Sequence, residues 1–128
     1  MKKYFLLLCI FFSFNLLAQN LYFDAYKNIR KAKKLVISNP QKANRLFIEA
    51  YSYLKQLVNK SIDNEKPSAN GLNLLGTMYL KGWGIEKNEQ KAIKLLCAAK
   101  KLGNIKAKKT LEKLRITCKQ TNFKELKQ

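Results

Sequence analysis

The stretch Leu75-Gly76-Thr77-Met78-Tyr79-Leu80-Lys81-Gly82-Trp83-Gly84-Ile85-Glu86-Lys87-Asn88-Glu89-Gln90-Lys91-Ala92 holds two helical patterns around a turn punctuated by glycine. Before it, Ser68 offers a hydroxyl cap, and Leu72, Leu75, Gly76, Tyr79 and Leu80 recur at helical spacing. Gly82 and Gly84 end this helix, because the turn calls for a positive φ. Asn88 then caps a second helix with Ala92, Leu95, Leu96 and Ala99 inward and Gly103 at its end. The small residues Gly76, Ala92 and Ala99 let the two helix axes approach closely. The stretch therefore predicts a helix–turn–helix unit over residues 68–103.

Upstream lies a second hairpin. Tyr22, Ala25, Tyr26, Ile29, Ala32 and Val36 mark a helix from Leu21 to Val36, which stops near Ser38. Asn39-Pro40 reads as a cap followed by a restart, since proline suits a first helical turn. Ala43, Leu46, Phe47, Ala50, Tyr51, Leu54 and Leu57 form the inner stripe of the next helix. The connection is so short that the two helices must lie antiparallel, giving a hairpin over 21–58. Residues 59–67 are polar and read as a loop between helices.

Downstream, a fifth helix is expected from Ile105 to Arg115, with Ala107, Leu111 and Leu114 inward. It opens a capping segment, 104–118. Residues 119–128 form a polar, frayed tail, with Phe123 as the residue able to pack back on the fifth helix. No period-two alternation marks a strand, so the fold is expected to be all-α.

At the start, Met1-Lys2-Lys3 precedes an apolar run from Tyr4 to Phe14, and Ala18 offers a cleavage point. The run is short for a membrane span and has the flanks of a secretory signal. Residues 1–18 are accordingly expected to be a signal peptide cleaved after Ala18, leaving a single domain, 19–128, that is periplasmic or secreted and has no membrane span. Cys9 leaves with the leader. So do Lys2 and Lys3, which takes the formal charge from +18 to +16.

So basic a surface favours acidic proteins, anionic lipid or nucleic acid. A lysine-rich composition with solvated side chains explains it equally well. The basic and aromatic residues are not interleaved in the manner of a nucleic-acid surface, so nucleic acid is not expected as a partner. From Lys87 onward there are 13 lysines and arginines against three acids. Lys100, Lys101, Lys106, Lys108 and Lys109 surround the turn at Gly103 and make the candidate basic edge.

The chain has no histidine. That excludes histidine-dependent triads, histidine bases and the usual histidine metal sites. Two cysteines outside the leader are too few for a four-cysteine zinc site. The eight acids are dispersed; Asp63 and Glu65 are the close pair, in a loop of turn formers that makes a poor glycosidase site. Gly82-Trp83-Gly84 lacks the preceding strand and the Lys-Ser/Thr ending of a phosphate loop. No catalytic residue, metal or cofactor is expected.

Trp83 has two readings, an exposed anchor for a partner or a lid packed over helices three and four. With Tyr51 and Tyr53 it completes the aromatic part of the candidate binding set. Cys97 and Cys118 are an even pair, which permits a disulfide. Were helices four and five both regular, the two cysteines would be offset by about 13 Å along the axis at 1.5 Å per residue. A bridge needs Cα atoms within about 7 Å. It therefore forms only if helix five ends near Arg115 and the chain turns back; two reduced thiols are the alternative.

Leu75-Gly76, Tyr79, Gly82, Gly84-Ile85, Asn88, Lys91-Ala92, Ala99 and Gly103 together resemble the Sel1-like repeat, a relative of the tetratricopeptide repeat. The match covers one full repeat, about 69–103. Gly71 and Lys100 depart from the usual alanines, and Glu112 replaces the glycine that would open another repeat. The first hairpin, lacking the glycine pair, looks like a degenerate tetratricopeptide-type unit. The resemblance implies a short right-handed α/α solenoid of about five antiparallel helices, two hairpins plus a polar cap. In cysteine-rich exported members, disulfides pin consecutive helices, though at other spacings.

The function implied is binding another, acidic protein without catalysis. By analogy, the chain suits a neutralising partner, an immunity protein or inhibitor, of a toxin or envelope enzyme. An envelope scaffold or adaptor, a cell-wall-active enzyme and a binder of anionic surfaces are the alternatives.

Overall fold

The structure is a computed structural model. It describes residues 2–10 and 20–128 in full and, for residues 11–19, the helical backbone alone. Five helices follow one another: α1, Lys2–Leu35; α2, Pro40–Asp63; α3, Ala69–Lys81; α4, Glu89–Lys101; and α5, Ile105–Lys113. A 3₁₀ turn, Phe123–Leu126, closes the chain, and no strand occurs among the described residues. The fold is the expected all-α solenoid. α1 pairs with α2, α3 with α4, α2 carries the chain of contacts on to α3, and α5 lies on α4.

Asparagine and serine caps begin the helices. Asn39, Ser68, Asn88 and Asn104 each accept a hydrogen bond from the backbone N–H three residues on, which satisfies a donor the helix cannot. The helix ends are equally regular. At α4 the N–H of Asn104 reaches Ala99 O and that of Gly103 reaches Lys100 O, with Gly103 left-handed. This is a Schellman end. α2 and α5 close by the same pair of bonds around Glu65 (φ 57°) and Arg115 (φ 56°), residues that enter this conformation less readily than glycine.

α2 is longer than its sequence suggests. It runs to Asp63, and Ile62, expected in a loop, is buried. Ile62 continues the apolar stripe one turn beyond Val58, so burial outweighs the polar residues around it. In α1, Ala25, Ile29 and Ala32 are buried against α2, joined by Asn28, but Tyr26 and Val36 are exposed. Leu114 is exposed because α5 ends at Lys113 and the left-handed Arg115 turns the chain away.

Small residues set how closely the helices approach. A Cβ on Gly76 would stand 3.0 Å from Leu96 Cγ, and one on Gly71 3.0 Å from Leu57 Cδ2. The turn Gly82-Trp83-Gly84 reaches further and lies against the first hairpin. At Gly84 (φ +71°) an added Cβ would fall 2.6 Å from Ile48 N and 2.7 Å from Phe47 C. The family glycine in this turn is therefore the joint between the hairpins.

The tail is not frayed. Leu126 is buried, and the 3₁₀ turn rests on α2 and α4, not on α5 as expected for Phe123. Its polar atoms find partners on the way. The Gln128 N–H donates to Asn59 Oδ1 at 2.8 Å, Asn59 Nδ2 donates back to Gln128 O at 3.1 Å, and Lys127 pairs with Asp63 at 2.6 Å.

Among the described residues, the core takes its first members at Leu21 and Tyr22. Tyr4, Phe5, Leu6, Leu7, Leu8 and Ile10 are all more than half exposed. Among the described residues no helix is long and apolar enough to cross a membrane. The cleavage point expected after Ala18 falls outside the fully described residues.

Candidate protein-binding surface

The residues singled out from the sequence do not form one surface. Trp83 sits in the turn that precedes α4 and the lysines at or beyond its far end, with the 13 residues of α4, about 20 Å of helix, between. Tyr51 and Tyr53 are two apart on α2, so they point to opposite sides of it.

Trp83 is half-buried. Its ring stacks on Phe47 of α2 with centroids 5.4 Å apart and planes 10° apart. Lys33 of α1 lies over it, 5.3 Å from the centroid. The side chain thus covers the joint made by Gly84 and joins α1, α2 and the α3–α4 turn.

Tyr51 is also drawn inward. Its hydroxyl meets that of Tyr79 at 3.2 Å, with the rings edge to face. Tyr79 donates in turn to Gln128 Oε1 at 2.7 Å, so Tyr51 supplies the proton of the shared bond. Burial first, and then the bond and proximity of Tyr51, hold the Tyr79 pKa well above the ordinary tyrosine value. Lys91 lies over the Tyr79 ring at 5.5 Å. The helix packing assigned to Tyr79 thus extends to a polar network that fastens the tail. Neither Asn59 nor Gln128 carried a sequence signal for this, because their partners are 69 and 49 residues away. Tyr53 is half-buried against the edge of the core and donates to Glu49 Oε1 at 2.7 Å.

The lysines do form an edge. Lys100 and Lys101 end α4, where they complement its carbonyl terminus. Lys106, Lys108 and Lys109 stand on the outer side of α5, while Ala107 and Leu111 face the core. All five are exposed. Lys101 lies 5.7 Å over the Phe123 ring. No carboxylate pairs with Lys100, Lys106, Lys108 or Lys109 among the described residues.

A disulfide ties this edge to the tail. Cys97 and Cys118 are bridged with Cα atoms 5.6 Å apart. The sequence condition is met, because α5 stops at Lys113 and Arg115 turns the chain back. Between α4 and the tail lies a cleft of about 390 Å³ lined by Ile93, Lys94, Cys97, Cys118 and Leu126, among others.

A second stripe was missed by the sequence reading, which turned Tyr26 inward. Phe23, Tyr26, Lys27, Arg30, Lys31 and Lys34 line an open groove on α1 together with Asp24. Phe23 is 65% exposed. The Arg30 guanidinium lies 6.0 Å from the centre of the Tyr26 ring. The available signal was the spacing of three and four from Phe23 to Lys34, which lies opposite Ala25, Ile29 and Ala32 on the helix.

The described residues contain no group of three or more His, Cys, Asp or Glu side chains placed to hold a metal ion. Stacked α-hairpins joined through close glycine turns, with their charge on the outer edges, define an α/α-repeat scaffold of the kind that binds other proteins. The chain belongs to the Sel1 repeat family, whose profile matches residues 17–52 and 69–104, more than half its length. Repeats of this family indicate a protein–protein interaction module and are generally non-catalytic. The first match makes the N-terminal hairpin a Sel1 repeat too, despite its missing glycine pair. Neither the curated proteins nor the solved structures contain a match to this chain.

Proposed function

We propose that the chain is an exported binding module that captures an acidic protein, as the neutralising partner of a toxin or envelope enzyme. The observation that carries this reading is the unpaired basic edge of Lys100, Lys106, Lys108 and Lys109, held on two helices whose junction is braced by the Cys97–Cys118 bridge. A fixed edge of one sign speeds and orients the capture of an oppositely charged surface. Export is supported by the apolar leader, whose described residues Tyr4–Leu8 and Ile10 are exposed, and by the disulfide, a bond of oxidising compartments.

The test is cell fractionation followed by capture from envelope extract on the immobilised mature chain. One acidic protein should be retained in a stoichiometric complex, released by salt and lost on K100E/K108E/K109E. A chain found only in the cytosol sinks the export reading. Retention of no protein, or retention unaffected by the triple substitution, sinks the binding reading.

A further inference from the structure

We infer that the outer stripe of α1 docks an acidic amphipathic helix of the partner, adding one more helix to the N-terminal end of the array. This inference rests on the reading that the chain binds an acidic protein. It assigns a second surface, separate from the basic edge on α4 and α5.

The two ends of the array are built differently. At the C-terminal end, α5 and a bridged tail close the last repeat, with Leu126 buried beneath. Among the described residues, α1 from Phe23 to Lys34 has no such cover on the side away from α2. Terminal helices of repeat arrays need polar outer faces to stay soluble. α1 departs from that rule with Phe23, 65% exposed, and Tyr26, 39% exposed. Neither aromatic has a place in the core, and both lie on one line with four cations.

The stripe has the dimensions of a helix seam. From Phe23 to Lys34 it spans three helical turns, about 17 Å. Phe23 and Tyr26 supply apolar anchors, and Lys27, Arg30, Lys31 and Lys34 supply charge, against one acid, Asp24. Arginine over tyrosine is a common interface pairing, since both side chains are rigid and amphipathic. A partner helix with an apolar stripe at the same spacing and glutamates flanking it meets both features.

Charge selects among the occupants. A second copy would bring this stripe, or the α4–α5 edge, against like charge. A lipid surface would meet only two apolar side chains on the stripe, less than an interfacial helix presents.

The experiment uses the full chain in the cell that makes it. A photo-crosslinking residue, p-benzoylphenylalanine, is placed at position 23 in one strain and at 108, on the basic edge, in another. The expected result is a position-23 adduct with an acidic protein, whose yield falls at least about tenfold on R30E/K31E/K34E. These three side chains are exposed, and an unchanged melting curve verifies folding. A position-108 adduct without one at 23 overturns this inference and leaves the proposed function standing. No protein adduct at either position overturns both. An adduct only with lipid or with a second copy, or one indifferent to the charge reversal, overturns the helix-docking assignment.

Discussion

Gly84→Ala tests whether the glycine turn is the joint between the hairpins. Two costs add at this position. The residue has φ +71°, and a left-handed non-glycine residue costs about 1–2 kcal/mol. The new methyl would also stand 2.6 Å from Ile48 N and 2.7 Å from Phe47 C. Both are backbone atoms of α2 and cannot rotate aside, so the turn must lift off the helix. Overpacking of this kind costs about 1–3 kcal/mol. The total is about 2–5 kcal/mol, against a typical domain stability of about 5–15 kcal/mol. Gly103→Ala is the internal control. It has φ +90° with nothing within 4 Å of an added Cβ, so only the backbone cost applies, about 1–2 kcal/mol. At roughly 4 °C per kcal/mol, Tm falls by about 8–20 °C for Gly84→Ala and about 4–8 °C for Gly103→Ala. Urea denaturation of both variants measures the difference. Equal losses at the two glycines refute the joint, because the backbone cost alone would then account for both. A lifted turn also separates Trp83 from Phe47, so tryptophan fluorescence should change in Gly84→Ala and not in the control.

Three more perturbations have defined outcomes. Breaking the Cys97–Cys118 bridge with Cys118→Ser opens a loop with a sequence separation of 21 and should cost about 3 kcal/mol in urea denaturation. Limited proteolysis should then cut beyond Lys113 first. Leu126→Ala should cost about 2–4 kcal/mol because the side chain is buried; a frayed tail would show no change. Tyr79→Phe should cost about 1 kcal/mol near pH 8. Folded Tyr79 keeps its proton where an unfolded tyrosine releases it, so its contribution is complete below about pH 10 and is lost as the pH rises further. The stability gap between wild type and Tyr79→Phe should therefore narrow by about pH 11, whatever the lysines do, since they are common to both proteins.

The parts legible in the sequence were those decided within one turn of helix. Asn39, Ser68 and Asn88 cap their helices through a bond three residues away, and Gly82 and Gly103 stop theirs because glycine enters the left-handed region freely. Where a charged residue occupies the same left-handed position, the signal disappears. Glu65 and Arg115 close α2 and α5 with bonds equivalent to those at Gly103, and for that reason the end of α2 was misjudged. The candidate surface was harder to read because exposure is a property of the assembled array. Tyr51 and Trp83 are residue types that favour interfaces, yet each meets an aromatic from another helix, Tyr79 and Phe47. Tyr26 has the opposite history. It fits a helical stripe in α1, but α2 covers only the side that carries Ala25, Ile29 and Ala32.

The disulfide also joins stability to compartment. Two repeats and a cap are near the minimum for an array, since each hairpin relies on its neighbours to bury its apolar face. Here the last neighbour is the tail. It covers α2 and α4 through Leu126, binds Asn59 and Tyr79 through Gln128, and is tethered at Cys118 to α4. Loss of about 3 kcal/mol on reduction is a large fraction of a small domain's stability. It would also loosen the tail that carries Leu126, exposing an apolar side chain to water. A chain built this way keeps its C-terminal end closed in an oxidising compartment and loosens it in a reducing one. That dependence fits the proposed export, and it leaves the exposed α1 stripe, Phe23 to Lys34, as the proposed place for a partner helix to add.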